Sequence, residues 1–318
     1  MKHRINPQVD CVFKALLGAE NNRNLLIHFI NAMLQSELPS PVATVELLNP
    51  YNDKEWLNDK LSIVNVKARD QNGNLYQLEI QLLNYKALPA RMLYTWADIY
   101  TQQLQNGLSF QSLQPTYAIW LLAENLFKDD AEYRHAYKFR NAEGTPLIEH
   151  GGVLTLELNK FHAAQVENEQ QRWLKFFKDG GQLNDAALPH WMQTREMIQA
   201  MTTLTQFSDK ERDYHRYQAR QNYLREQLSI AIEQEAVREE LEAGRRELEA
   251  GRRELEAERR KRETQLKELE AERREREAER EAKLAAMTRE TAEREAKEAA
   301  LAELKRLNAL LKNSGLES

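Results

Sequence analysis

The sequence predicts an α/β fold: a mixed sheet flanked by helices, followed by a long charged C-terminal helix or coiled coil. Three observations predict it. Apolar spacing passes from helices to three strands, then one helix, more strands, and helices again. That order suits helices packed on a mixed sheet and not a repeated βαβ chain. Asp59 to Gln81 reads as two strands joined by a tight turn, because Asn72-Gly73 separates two alternating runs. Finally, charge divides the chain. Residues 1–230 hold 24 Lys/Arg and 26 Asp/Glu, whereas 45 of the last 88 residues are charged. A globular domain over residues 1–229 and a charged helical tail over 230–318 follow.

Net charge is -5 and neither part is basic. Nucleic acid would therefore have to be held by a local patch and not by an overall positive field. The single cysteine, Cys11, excludes an internal disulfide framework and fits a reducing compartment. Beside Val12 and Phe13 it reads as a small core residue. No apolar run is long enough to span a bilayer, and MKHRINPQVD lacks the apolar stretch of a signal peptide. The expectation is a soluble cytoplasmic protein without a membrane partner.

Asn6-Pro7 predicts a helix over Pro7 to Leu17, with Asn at the cap, Pro at the first position and Gly18 at the stop. Leu25, Leu26, Phe29, Ile30 and Met33 give a second helix over Asn22 to Leu34. Val42 to Asn49 reads as a strand. In the hairpin, Leu61 to Arg69 pairs with Leu75 to Leu83 through a type I′ turn at Asn72-Gly73. Pro89 to Gly107 reads as a helix with apolar residues spread round it, hence largely covered. Pro115 to Ala123 is short, apolar and bounded by Pro, as a buried strand is. Tyr133 to Arg140 alternates like an edge strand, and Gly151-Gly152 precedes a strand over Val153 to Leu158. Helices follow over Glu167 to Phe177, Leu188 to Phe207, and from Asp209 into the tail.

The tail repeats with a period of seven: LEAGRRE occurs at Leu241–Glu247 and Leu248–Glu254, and LEAERRK follows from Leu255. Only one position per heptad is a large aliphatic, so a two-position seam is missing. Glu and Arg three or four apart add roughly 0.2–0.5 kcal/mol per pair to a helix, whereas Gly244 and Gly251 each cost roughly 1 kcal/mol. A charge-laced rod results, either a marginal coiled coil or a single solvated helix. Leu301, Leu304, Leu307, Leu310 and Leu311 form its best apolar stripe, the expected point of self-association into a homo-oligomer.

The hairpin also breaks the binary pattern. Asn65 and Lys67 share a face on the first strand, and Glu79 and Gln81 share one on the second. A sheet with one wet face produces such alternation with no function attached, but polar pairs inside apolar strands also mark sites. SIVNVKARDQNGNLYQLEIQ resembles the signature of the PD-(D/E)XK nuclease family transposases, also called Rpn-type recombination-promoting nucleases. DCVFKALLG, RMLYTWADIYTQQL and LQPTYAIWLLAENLF resemble the opening helix, the post-hairpin helix and the buried strand of that family, in the same order. The resemblance covers residues 5 to 230.

It implies a restriction-endonuclease-like core and a metal-dependent DNA endonuclease. Phosphodiester hydrolysis at neutral pH needs a divalent cation held by carboxylates, most simply Mg²⁺, which polarises the phosphoryl group and activates a bound water. Carried over residue by residue, Glu79 and Asn65 stand at the metal-ligand positions. Gln81 stands where other members orient the attacking water, Asp10 is the acidic residue of the opening helix, and Arg91 and Lys67 are the phosphate-binding candidates. Asn65 departs from the pattern, which has Asp there. An amide offers one neutral oxygen and weakens metal binding, unless Asp59 or Asp70 compensates. Two readings stand: an endonuclease weakened by Asn65, or a catalytically inactive nuclease fold that binds or scaffolds and self-associates through its tail.

Overall fold

The computed structural model describes residues 2–49, 65–104 and 107–313. The chain divides into two units, Met1–Ala231 and Ile232–Ser318. In the first unit the elements are α1 (Asp10–Leu17), α2 (Arg23–Met33), β1 (Val45–Leu48), β2 (Val66–Asp70), β3 (Leu75–Gln81) and α3 (Leu88–Thr101). β4 (Thr116–Leu122), β5 (Arg134–Tyr137), β6 (Gly151–Glu157), α4 (Glu169–Asp179) and α5 (Arg195–Asp209) follow, and α6 (Glu211–Asn313) begins there.

Among the described residues the strands form one mixed sheet of order β1-β2-β3-β4-β6-β5. β1, β2 and β3 make an antiparallel meander. β3 pairs β4 in parallel, β4 pairs β6 in parallel, and β5 closes the edge antiparallel to β6. The continuous apolar run predicted a buried strand, and all seven residues of β4 are buried at the sheet centre. Alternation then sorts the two faces. Tyr76, Leu78, Ile80, Tyr117, Ile119 and Leu121 meet the main core with Phe13, Phe29, Trp173 and Phe177. Ala118, Trp120 and Leu122 point the other way, onto Leu88, Met92 and Trp96 of α3. Helices therefore cover both faces.

Several boundaries differ from the sequence expectation. Asn6-Pro7 closes a turn and not a helix start: Asn6 Oδ1 accepts the Gln8 N–H at 2.9 Å and its carbonyl accepts the Val9 N–H at 3.2 Å. The helix begins one turn later, at Asp10. Likewise α5 begins at Arg195, because Thr194 supplies a side-chain cap that Leu188 does not. On α3 only one face is covered; Leu93 and Tyr94 are half-exposed.

The hairpin is wider than a type I′ turn. Among the described residues Asn72 has no positive φ, whereas Gly73 sits at +87°. The Gly73 N–H donates to the Asp70 carbonyl at 3.1 Å, and the Asp70 N–H donates to the Asn74 carbonyl at 3.0 Å. This is a three-residue loop ending in a left-handed glycine. Asp70 holds it open, because its Oδ1 accepts the backbone N–H groups of Asn72 and Asn74 at 2.8 and 2.9 Å. The first half of the predicted strand, Leu61 to Val64, lies outside the described residues.

Gly151 opens β6 at φ +82°, and a Cβ there would fall 2.1 Å from the Thr116 carbonyl oxygen. Only glycine suits both the turn and that approach. The first turns of α6 dock on the N-terminal segment. Tyr214 stacks on His3 at 3.8 Å, and Tyr217 Oη accepts the Asn6 N–H. Farther along, described residues 232–310 are exposed, with Leu241, Leu248 and Leu255 at 65–69%. Exposed pairs such as Arg262–Glu258 and Arg276–Glu272, both at 2.7 Å, lace this stretch. No described helix is long and apolar enough to cross a membrane.

Candidate active site

Because β2 and β3 pair antiparallel with Val66 opposite Leu78, the next pair along is Asn65 opposite Glu79. Odd-numbered residues of both strands face α3. The fold thus puts Asn65, Lys67, Gln77, Glu79 and Gln81 on one side of the sheet: alternation pairs Asn65 with Lys67 and Glu79 with Gln81, and the register set by the three-residue loop brings the two pairs to a common face. The parallel neighbour of Glu79 is Trp120.

Glu79 is 2% exposed. Its Oε1 accepts the Asn65 backbone N–H at 3.1 Å, and the Asn65 side-chain Nδ2 reaches the Ile80 carbonyl at 3.5 Å. Burial pushes the Glu79 carboxyl up to about 7, against the opposing pull of Arg91, the Asn65 N–H, Gln77 and Lys14. α3 supplies the roof. Arg91 Nη1 donates to Gln81 Oε1 and to Tyr85 Oη, both at 3.4 Å, and its guanidinium lies 5.5 Å from the Trp120 ring centre. One helical turn on, Thr95 Oγ1 accepts from Gln77 Nε2 at 2.9 Å. Gln81 Nε2 in turn donates to the Leu83 carbonyl at 2.7 Å.

The fold therefore brings Asn65, Glu79, Gln81 and Arg91 together. Lys67 shares the face but turns to the end of α3, donating to Gln102 Oε1 at 3.0 Å. Asp10 pairs with Arg220 of α6, Oδ1 to Nε at 3.0 Å. Asp70 does not compensate for Asn65. It faces the opposite side of β2, and its Oδ2 is taken by Asn74 Nδ2 and Tyr76 Oη, both at 2.9 Å. Asp59 lies outside the described residues.

Sequence reasoning missed four residues of the surroundings of this group. Gln77 was legible as the next residue on the same strand face, and Thr95 as one helical turn from Arg91. Trp120 depended on a parallel register, and Lys14 on how α1 meets the sheet.

Nucleases of the PD-(D/E)XK type generally use divalent cations. The donors here do not fit one well. Among the described residues no three His, Cys, Asp or Glu side chains cluster. Glu79 is the lone carboxylate of the group, and the Asn65 backbone N–H already occupies one of its oxygens. Gln77 Oε1 is buried without a hydrogen-bond partner, but a neutral amide oxygen replaces a carboxylate poorly for a hard cation.

A family model described as PD-(D/E)XK nuclease family transposase matches residues 7–235. No curated protein and no solved structure matched the chain. The match runs from the turn before α1, through the whole sheet and α3, into the first turns of α6, and a mixed sheet with flanking helices is what such a core requires. The chain belongs to the PD-(D/E)XK nuclease family transposases.

Proposed function

We propose that this protein acts on DNA as an endonuclease of the recombination-promoting type whose phosphodiester hydrolysis is attenuated by Asn65. Family membership supports the nuclease side of the reading. The observation that carries the attenuation is the Asn65–Glu79 pair: an amide stands across from the buried carboxylate where a second carboxylate is expected. Glu79, Gln81 and Arg91 lie together beside Asn65. Arg91 is suited to neutralise a phosphate, and Glu79 and Gln81 to orient a water. The described donors fall one carboxylate short of a Mg²⁺ site.

The same pair favours a second reading, a nuclease fold that binds DNA or a scaffold without cutting. Plasmid nicking with Mg²⁺, run on wild type, Asn65→Asp and Glu79→Ala, separates the two. Slow cleavage by wild type that rises in Asn65→Asp and stops in Glu79→Ala supports the proposal. Full-rate cleavage by wild type, unchanged in Asn65→Asp, sinks it. Cleavage confined to Asn65→Asp assigns the natural chain to the second reading.

A further inference from the structure

The domain as a whole presents no overall positive field to a polyanion: its first 230 residues hold 24 Lys/Arg against 26 Asp/Glu. One stretch runs against that trend. Between Lys210 and Arg225 there are five basic residues, Lys210, Arg212, Arg216, Arg220 and Arg225, and two acidic ones, Glu211 and Asp213. This stretch is the docked start of α6, and with α1 it walls a cleft of about 600 Å³.

We propose that the cleft between α1 and the first turns of α6 binds the phosphate backbone of duplex DNA, through Lys14, Arg216 and Arg220. The inference rests on the DNA-directed reading above and adds where DNA is gripped. Lys14 and Arg216 line the cleft and have no ion pair among the described residues. Arg220 is held in place by Asp10, Oδ1 to Nε at 3.0 Å, and by Tyr223, whose ring centre lies 4.9 Å from the guanidinium. Asp10 is then a positioning residue for a cation of the cleft. Asp213 also lines it, so the three cations outnumber the two carboxylates. Arg216 and Arg220 are one helical turn apart, about 6 Å along the axis. A row of cations spread along a helix suits an extended polyanion better than a single bound anion, which needs a closed cradle. Lys14 links the cleft to the candidate site, because its charge also reaches Glu79.

The test is anisotropy of a labelled DNA duplex, titrated with the full chain over a salt series in chelator, so that cleavage plays no part. The proteins are wild type, the double variant Lys14→Gln/Arg216→Gln, and the charge-keeping control Lys14→Arg/Arg216→Lys. The proposal expects the neutral double variant to bind at least about 10-fold more weakly, with a salt slope reduced by about 2, since each phosphate contact contributes about 0.9 to it. The control should stay near wild type, and thermal melts should coincide. If wild type binds and the neutral variant binds equally with the same slope, the cleft is wrong while the DNA-directed reading stands. Wild type that binds no duplex overturns both. Binding lost in the variant, from a protein that never nicks plasmid, supports the cleft and removes the endonuclease reading alone.

Discussion

Asn65 faces Glu79 across the β2–β3 pair, and its backbone N–H donates to Glu79 Oε1 at 3.1 Å. The contact joins a neutral amide residue to a carboxylate that is 2% exposed, and most consequences for activity pass through it. Restoring a carboxylate there should strengthen cation binding. Calorimetry with Mg²⁺ is expected to show Asn65→Asp binding at least about 10-fold more tightly than wild type, because a hard cation is held chiefly by charged oxygens. Equal affinities would remove Asn65 as the cause of a weak centre.

Glu79 also costs stability when ionised. Burial raises its carboxyl from 4.5 to about 7 in the folded state. Below pH 4.5 the group is protonated whether folded or unfolded, and it takes nothing from stability. As pH rises from there through 7 the folded state increasingly resists ionisation, and stability falls. Glu79→Gln removes this loss. In chelator at pH 8 urea unfolding should show the variant more stable by roughly 3 kcal/mol, with the gain vanishing near pH 4. A variant less stable at pH 8 would mean that Glu79 is well compensated where it sits.

Glu37 works in the opposite sense. Burial pushes its carboxyl up, but hydrogen bonds from Lys138 and Arg134, at 2.5 and 3.0 Å, outweigh burial and leave it below the usual range. Its contribution is present above the unfolded carboxyl's range and fades as pH falls through the lower folded value. Glu37→Gln should therefore lose roughly 1–2 kcal/mol at pH 7 and little in strong acid. Denaturation at the two pH values checks this, and an equal loss at both would point to lost packing instead.

Self-association through the tail is the remaining prediction. Leu301, Leu304, Leu307 and Leu310 are 52–60% exposed on α6, an apolar stripe that invites a partner. Sedimentation of the full chain should show a dimer or larger species that Leu304→Glu/Leu307→Glu returns toward monomer. Monomeric behaviour in both proteins would leave the tail a solvated helix.

The sequence by itself determined the order of elements, the buried central strand, the charged helix, and the faces that Asn65 shares with Lys67 and Glu79 with Gln81. Each of these is a local periodicity, two for strands and near 3.6 for helices, and local periodicities survive without knowledge of the fold. Only the tertiary structure decided which sheet neighbours meet. Parallel register placed Trp120 beside Glu79 and under Arg91, and helix docking took Asp10 away to Arg220 while bringing Lys14 within reach of Glu79. The Asp70 carboxylate shows the same division. Its type and position in the hairpin were legible, but its commitment to Asn72, Asn74 and Tyr76 was not. Such pairings depend on packing between segments far apart in the chain, and no spacing rule within one segment encodes them.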